Sequence, residues 1–100
     1  YVEAMWLMLQ QKRPDDFVIS TGKQYSVRDF TKLAFEYADL NYKKYVKIDQ
    51  KLTRPADVQT LLGSYAKAKR VLKWKHRFTF NDLVKDMVDK DLAFVRKHGY

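Results

Sequence analysis

The chain has no cysteine among its 100 residues. Disulfide bonds, thiolate nucleophiles and zinc sites with cysteine ligands are therefore excluded. The glycines are few, and Gly22, Gly63 and Gly99 lie too far apart to form a glycine-rich phosphate-binding loop. No apolar run approaches the roughly 20 residues that cross a bilayer, and the apolar start of the chain lacks a basic leader. We therefore expect a soluble, cytoplasmic protein.

Side chains that often carry catalysis are present, but not in catalytic arrangements. The two histidines, His76 and His98, are 22 residues apart and lack the i,i+4 spacing of a helical zinc pair. No serine stands in a G-x-S-x-G elbow, and the paired carboxylates Asp15 and Asp16 follow Pro14 in a predicted loop. The sequence contains no complete catalytic set and no metal site, so we predict that the chain alone is not catalytic.

Acidic side chains are missing from one long stretch. The net charge is +8, from 20 Lys and Arg against 12 Asp and Glu. Between Val58 and Asn81 all charged side chains are basic, namely Lys67, Lys69, Arg70, Lys73, Lys75 and Arg77. Such a run either binds polyanions or forms a solvated helix face and a basic loop. Because no nucleic-acid-binding motif accompanies it, we do not expect nucleic acid as a partner, and a small RNA-binding module stays as an alternative.

Four segments have the apolar spacing of amphipathic helices. The first covers the start of the chain, up to about residue 9, and the second covers about residues 27 to 39. Ser26 and Asp29 form a short capping box before the second helix, and Thr79 with Asp82 does the same before the last one. The third segment, residues 65 to 72, has a basic outer face. The last helix has a predicted buried stripe of Phe80, Leu83, Val84, Met87, Val88, Leu92 and Val95.

Three short runs are rich in residues typical of β-strands. Phe17–Ile19 precedes a turn, Tyr45–Ile48 alternates, and residues 58 to 62 fit either a short strand or a buried turn. Four helices with two or three short strands predict an α/β protein that is locally α+β. Because strands this short do not form a stable open sheet by themselves, we expect them at the edges of a sheet supplied by another segment.

The run Arg54-Pro55-Ala56-Asp57-Val58 places a guanidinium and a carboxylate around a backbone that the proline stiffens. The planar fork of an arginine matches phosphate oxygens, and a carboxylate accepts hydrogen bonds from a pair of sugar hydroxyls. Arg54 and Asp57 are therefore candidate ligands for a nucleotide diphosphate. The motif alone leaves open a simple turn, in which Asp57 caps the backbone or lies in water.

Longer stretches of the sequence resemble the C-terminal portion of GDP-mannose 4,6-dehydratases, which are extended short-chain dehydrogenase/reductases. The segments that carry the resemblance are YVEAMWLMLQQ at the start, PDDFVI, SVRDF, YVKID, RPADV, LLG, KAK and LKWK. The first eleven residues are the most specific to this family. The RPADV, KAK and LKWK pieces have counterparts in many extended short-chain dehydrogenase/reductases.

The resemblance implies a reaction, and it assigns catalysis and substrate binding to different portions of the enzyme. The family converts GDP-mannose to GDP-4-keto-6-deoxymannose with NADP, and its cofactor glycines and catalytic residues belong to an N-terminal Rossmann portion that this chain lacks. Residues 1–100 are thereby expected to be a partial C-terminal substrate-binding domain of an extended Rossmann-type dehydratase. Arg54 is expected to contact the diphosphate of the GDP-sugar, and Asp57 the ribose hydroxyls.

The resemblance also implies the partners. We expect GDP-mannose as the ligand, no cofactor on this chain alone, and either self-association or docking to an N-terminal portion. A protein-interaction fragment, docking through the first helix and the short strands, is a further alternative.

One departure from the family pattern has a structural consequence. The glycine that usually closes the third helix is replaced by Lys73. If the backbone adopts the left-handed conformation there, the lysine costs about 1 kcal/mol.

Overall fold

Helices are the regular elements in the computed structural model, which describes residues 1–99. They are α1 (Val2–Leu9), α2 (Val27–Tyr37), α3 (Ala66–Val71) and α4 (Phe80–His98), with 3₁₀-helices at Tyr42–Lys44 and Gln50–Leu52. All four helices predicted from apolar spacing are confirmed. The chain forms two compact units: unit 1 contains residues 1–24 and 58–77, and unit 2 contains residues 25–57 and the segment from Phe78 onward.

The predicted strands are wrong within residues 1–99, where no segment is a β-strand. A strand is defined by hydrogen bonds to a neighbouring strand, and the first two residues of the predicted strand at 45 to 48 instead bond locally. The Asn41 side chain accepts a hydrogen bond from the amide of Lys43 at 3.1 Å and starts a 3₁₀-helix. The amides of Tyr45 and Val46 then both donate to the carbonyl of Tyr42. The described residues therefore support the predicted fold class in its helices and not in its strands.

The core of unit 1 is built around Trp74. Trp74 and Leu72 are buried with the two alanines Ala4 and Ala68, which come from α1 and α3. Partly buried apolar side chains pack against this cluster, namely Leu7, Met8, Phe17, Ile19 and Tyr65. Neither α1 nor α3 has a side-chain hydrogen bond at its N-cap. Packing against the core therefore holds these two short helices.

The chain leaves α3 through a left-handed residue. The amides of Leu72 and Trp74 both donate to the carbonyl of Ala68, at 2.9 and 3.3 Å. Between them Lys73 has a φ of 58°, the conformation that a glycine adopts without strain. Beyond this point Leu72 and Trp74 are buried while Lys73 and Lys75 are exposed. The alternation directs these two lysines to solvent.

Unit 2 is organised by two capping boxes. The Ser26 hydroxyl accepts from the amide of Asp29, and the Ser26 amide donates to the Asp29 carboxylate, both at 3.0 Å. Thr79 and Asp82 repeat this arrangement at 3.2 and 3.0 Å. The hydrogen bonds from the backbone amides hold the pKa of both carboxyls below the ordinary value of 3.8. Both capping boxes predicted from the sequence are thus confirmed.

Helices α2 and α4 pack against each other in unit 2. The Tyr37 hydroxyl donates to the two Asp89 carboxylate oxygens at 3.0 and 3.2 Å, which raises the pKa of Tyr37. Tyr25 stacks on Phe80 with ring centroids 3.9 Å apart. The buried stripe predicted on α4 is only partly correct, because Val84 is fully buried whereas Leu83, Met87, Leu92 and Val95 are 39% to 49% exposed.

Candidate functional site

Arg54 and Asp57 lie on the segment of unit 2 that follows the second 3₁₀-helix. The Asp49 side chain accepts from the amide of Lys51 at 3.0 Å and starts this helix. At its end Thr53 has extended backbone, with φ −69° and ψ 125°, so the helix stops before Arg54. Arg54 and Asp57 are both exposed. The structure therefore places the two predicted site residues on one short surface segment.

The chemistry of this segment is dominated by the guanidinium of Arg54. Arg54 forms no ion pair with any residue in the described part of the chain. An unpaired guanidinium retains all of its donors, and its planar fork forms bidentate hydrogen bonds with phosphate oxygens. Residues 51 to 62 are all exposed, so this segment supplies a contact surface for an anion and no buried wall around it.

A separate depression of about 590 Å³ lies at the end of α2. It is lined by Lys32, Glu36, Asp39, Leu40, Asn41, Tyr42 and Lys43. The chain leaves α2 there through Asp39, whose φ of 60° is tolerated by aspartate better than by most residues. Sequence reasoning missed this depression, and the signal that was available is the pair of turn-forming residues Asp39 and Asn41. Its charges are of both signs, and neither Arg54 nor Asp57 lines it.

The basic stretch of residues 67 to 77 has acidic partners that sequence reasoning missed. Lys67 Nζ lies 2.8 Å from a carboxylate oxygen of Asp15 and donates to the carbonyl of Asp16 at 2.8 Å. The same ammonium lies 4.9 Å from the centre of the Phe17 ring. The hydrogen bond from Lys67 lowers the pKa of Asp15. Lys67 therefore ties α3 to the loop after α1.

Arg77 is paired in the same way. Its guanidinium lies 3.0 Å and 3.1 Å from the two carboxylate oxygens of Glu3, which is 74 positions away in the sequence. No local sequence pattern predicts an ion pair between residues this far apart in the sequence. Lys67 and Arg77 thus have structural partners, while the other four basic side chains of the stretch are exposed, namely Lys69, Arg70, Lys73 and Lys75.

Each of the two histidines contacts a neighbouring residue of its own unit. His76 packs edge-on against Tyr65, with ring centroids 5.4 Å apart. His98 is the last residue of α4, and its Nδ1 lies 3.3 Å from the carbonyl oxygen of Phe94. Within residues 1–99, no three His, Cys, Asp or Glu side chains form a group that could hold a metal ion. The same residues include no helix with the length and apolar character required to cross a membrane.

Comparison with known proteins places these features in a family. The family model described as GDP-mannose 4,6 dehydratase matches residues 1–87. The chain is 52% identical to GDP-mannose 4,6 dehydratase 2 of Arabidopsis thaliana, covering 97% of the chain and 26% of that protein. It is 44% identical to the GDP-mannose 4,6 dehydratase of Dictyostelium discoideum, with 96% and 32% covered, and 40% identical to that of Homo sapiens, with 96% and 30% covered.

The matches cover nearly all of this chain but only part of each relative. The chain spans between about a quarter and a third of the length of these relatives. The family match covers most of the chain, including α1, the Arg54 segment and the Trp74 core. The resemblance inferred from the residue motifs is thereby confirmed: the chain belongs to the GDP-mannose 4,6-dehydratase family.

Proposed function

We propose that this chain is a GDP-sugar-binding segment of a cytoplasmic, GDP-mannose 4,6-dehydratase-like enzyme that makes GDP-4-keto-6-deoxymannose. The observation that carries the proposal is the exposed, unpaired guanidinium of Arg54, in a chain that belongs to this family. Arg54 binds the diphosphate, and Asp57 accepts hydrogen bonds from the ribose hydroxyls. The chain alone binds and does not catalyse.

The backbone around Arg54 favours this role. Extended geometry at Thr53 and the fixed φ of Pro55 limit the conformations open to the arginine between them. Restricting the free segment lowers the entropy lost when the guanidinium meets a phosphate. Because the segment is exposed, water competes for the same donors, and we expect binding to the chain alone to be weak.

The glycines of this chain do not fit the pyrophosphate of NADP, the cofactor that the family uses. A Cβ on Gly63 would lie 2.9 Å from the Ser20 side chain, and one on Gly22 would lie 3.3 Å from the Tyr65 ring. These glycines are therefore packed against side chains of unit 1 and do not form a cradle for a pyrophosphate. Gly99 follows α4 in unit 2. We accordingly assign no cofactor role to any residue described here.

Calorimetric titration of GDP-mannose into the 100-residue chain tests the proposal. A charge-assisted bidentate contact contributes about 1.5 to 3 kcal/mol, so Arg54→Ala should weaken binding by roughly tenfold or more. Asp57→Asn should have a smaller effect, because the amide keeps an acceptor while losing the charge. Arg28→Ala is the matched control, since it removes an exposed arginine from α2 of the same unit and should leave binding unchanged.

Two results would contradict the diphosphate role. The first is equal affinity of the wild-type chain and Arg54→Ala, together with loss of binding in Lys67→Ala and Lys69→Ala, which would favour the basic stretch and the polyanion alternative. The second is an effect of Arg54→Ala that is just as large with guanosine, which has no phosphate. A preference for the GDP-sugar over RNA of equal phosphate concentration would support the proposal.

A further inference from the structure

The basic stretch of unit 1 is only partly neutralised by carboxylates of the same unit. Lys67 pairs with Asp15 at 2.8 Å. Arg77 pairs with Glu3 at 3.0 Å. Between these two cations in the sequence lie four others that are exposed and form no ion pair within residues 1–99, namely Lys69, Arg70, Lys73 and Lys75. We call these four side chains the basic surface. The third acidic residue of unit 1, Asp16, is too little to neutralise it.

The core of unit 1 fixes the backbone that carries the basic surface. Ala68, Leu72 and Trp74 are buried in that core. The four cations occupy positions next to these buried residues in the sequence and are directed to solvent. Like charges held between residues 69 and 75 repel one another, and this repulsion disfavours the folded state. An anion bound to the surface would relieve the repulsion.

Lys73 supplies a second, independent observation. Its φ of 58° is strained for a lysine, whereas a glycine adopts this conformation without strain. The dipole of α3 accounts for Lys69 and Arg70, which lie in its last turn. Lys73 lies beyond that turn, where the dipole effect has fallen off. A long cationic side chain on a strained backbone points to a function of the side chain.

The two neighbouring ion pairs indicate which kind of anion fits. In both pairs, a carboxylate from a distant segment of the chain lies against a cation of the basic stretch. Surfaces that bind single-stranded nucleic acid also expose aromatic rings on which bases stack. Between residues 66 and 77 the aromatic side chains are Trp74, which is buried, and His76, which is half-buried against Tyr65. The surface therefore favours carboxylates over nucleic acid.

A membrane surface fits less well than a protein. Helices that lie in a membrane surface combine their cations with an exposed apolar face. In α3 the apolar side that contains Ala68 is buried in the core of unit 1. The basic surface thus has no exposed apolar face of α3 beside it to enter a lipid layer.

We propose that the basic surface binds an extended acidic segment of another protein, whose aspartate or glutamate side chains pair with the four cations. An extended segment adapts to the convex outer side of a helix, as disordered chains do when they wrap a partner. Electrostatic complementarity of this kind mainly accelerates association, so binding should be weak and should weaken further with salt. The inference does not depend on GDP-mannose binding, because Arg54 lies in unit 2.

Fluorescence anisotropy with a fluorescein-labelled decaglutamate peptide tests the proposal at low ionic strength. The 100-residue chain should bind the peptide. Each exposed ion pair contributes about a twofold gain in affinity, so a variant that loses all four cations should bind roughly tenfold more weakly or worse. This variant combines Lys69→Gln, Arg70→Gln, Lys73→Gln and Lys75→Gln.

A second combined variant is the matched control. It replaces four exposed lysines of unit 2, namely Lys43→Gln, Lys44→Gln, Lys47→Gln and Lys51→Gln. The two variants have the same net charge, so a general effect of charge would weaken peptide binding equally in both. We expect the control to retain the affinity of the wild-type chain.

Lys73→Gly separates the charge of this residue from its backbone. The glycine relieves the left-handed conformation, so a merely structural role predicts no loss of peptide binding. The proposal predicts affinity about twofold lower, because one ion pair is lost. GDP-mannose titration should give the same affinity for this variant as for the wild-type chain.

Four outcomes would overturn the inference. The first is no binding of decaglutamate at low ionic strength, and the second is an equal loss in the two combined variants. The third is decauridylate RNA binding more tightly than decaglutamate, which would make nucleic acid the occupant. The fourth is a dimer of the chain alone in sedimentation that the basic-surface variant abolishes, which would make a second copy the occupant.

Discussion

Units 1 and 2 hold their helices in different ways. Unit 1 contains Ala4, Ala68, Leu72 and Trp74, four of the five apolar residues that are buried among residues 1–99, and its helices α1 and α3 have no side-chain cap. In the described part of unit 2 only Val84 is buried, but α2 and α4 both begin with complete capping boxes. The comparison shows that unit 1 depends on contacts between distant residues. Unit 2 depends more on hydrogen bonds that span three residues.

The two units also differ in their balance of basic and acidic side chains. Unit 1 has nine basic against three acidic side chains, and unit 2 has eleven against nine. Two of the three acidic residues in unit 1 form ion pairs with its second chain segment. Glu3 pairs with Arg77, and Asp15 pairs with Lys67. Exposed pairs of this kind contribute little stability individually, so the apolar core carries unit 1.

Removing the centre of the unit 1 core should have the largest effect. Trp74→Ala should lower the free energy of unfolding by about 3 to 5 kcal/mol, because it deletes a buried aromatic side chain and leaves a cavity. Trp6→Ala is the control, since the same substitution at a residue that is 60% exposed removes much less buried surface. Urea denaturation followed by circular dichroism measures both. Equal losses in the two variants would contradict the core described for unit 1.

Removing a cap from unit 2 should have an intermediate effect. Thr79→Ala deletes the hydroxyl that accepts from the Asp82 amide and should cost about 1 kcal/mol. Thr60→Ala is the control, because Thr60 is exposed and lies outside every helix. Thermal unfolding followed by far-ultraviolet circular dichroism makes the comparison. If the two variants unfold at the same temperature, the capping box does not stabilise α4 and the contrast between the units fails.

Replacing by glycine the residue with left-handed backbone in each unit should have the smallest effect on stability. Lys73→Gly should stabilise unit 1 by roughly 0.5 kcal/mol, because the strain at a φ of 58° is partly offset by the greater entropy of glycine in the unfolded chain. Asp39→Gly should stabilise unit 2 by less, since aspartate tolerates this conformation better.

Lys75→Gly is the control for that pair of variants. Lys75 is exposed and has no positive φ, so glycine should destabilise the chain there. Denaturant midpoints measured on all three variants test the order. A loss of stability in Lys73→Gly would show that the left-handed residue is not strained.

The sequence predicted the helices better than it predicted the candidate site. Helix starts follow from Ser26 and Thr79, whose partners are three residues away, so the signal is local and survives in any tertiary context. Strands depend on a neighbouring strand, and residues 45 and 46 instead bond to the carbonyl of Tyr42. Arg54 and Asp57 are exposed, so burial places no constraint on them, and their binding role stays a prediction that GDP-mannose titration decides.

The sequence by itself determined the family, the four helices and the two capping boxes, because these follow from residue identity and from spacings of a few positions. Only the tertiary structure decided which tryptophan is buried, since Trp6 and Trp74 both lie in apolar patterns and the core encloses one of them. It also decided that Lys67 and Arg77 are paired. Their partners Asp15 and Glu3 are far away along the chain, and only folding brings such charges within 3 Å of each other.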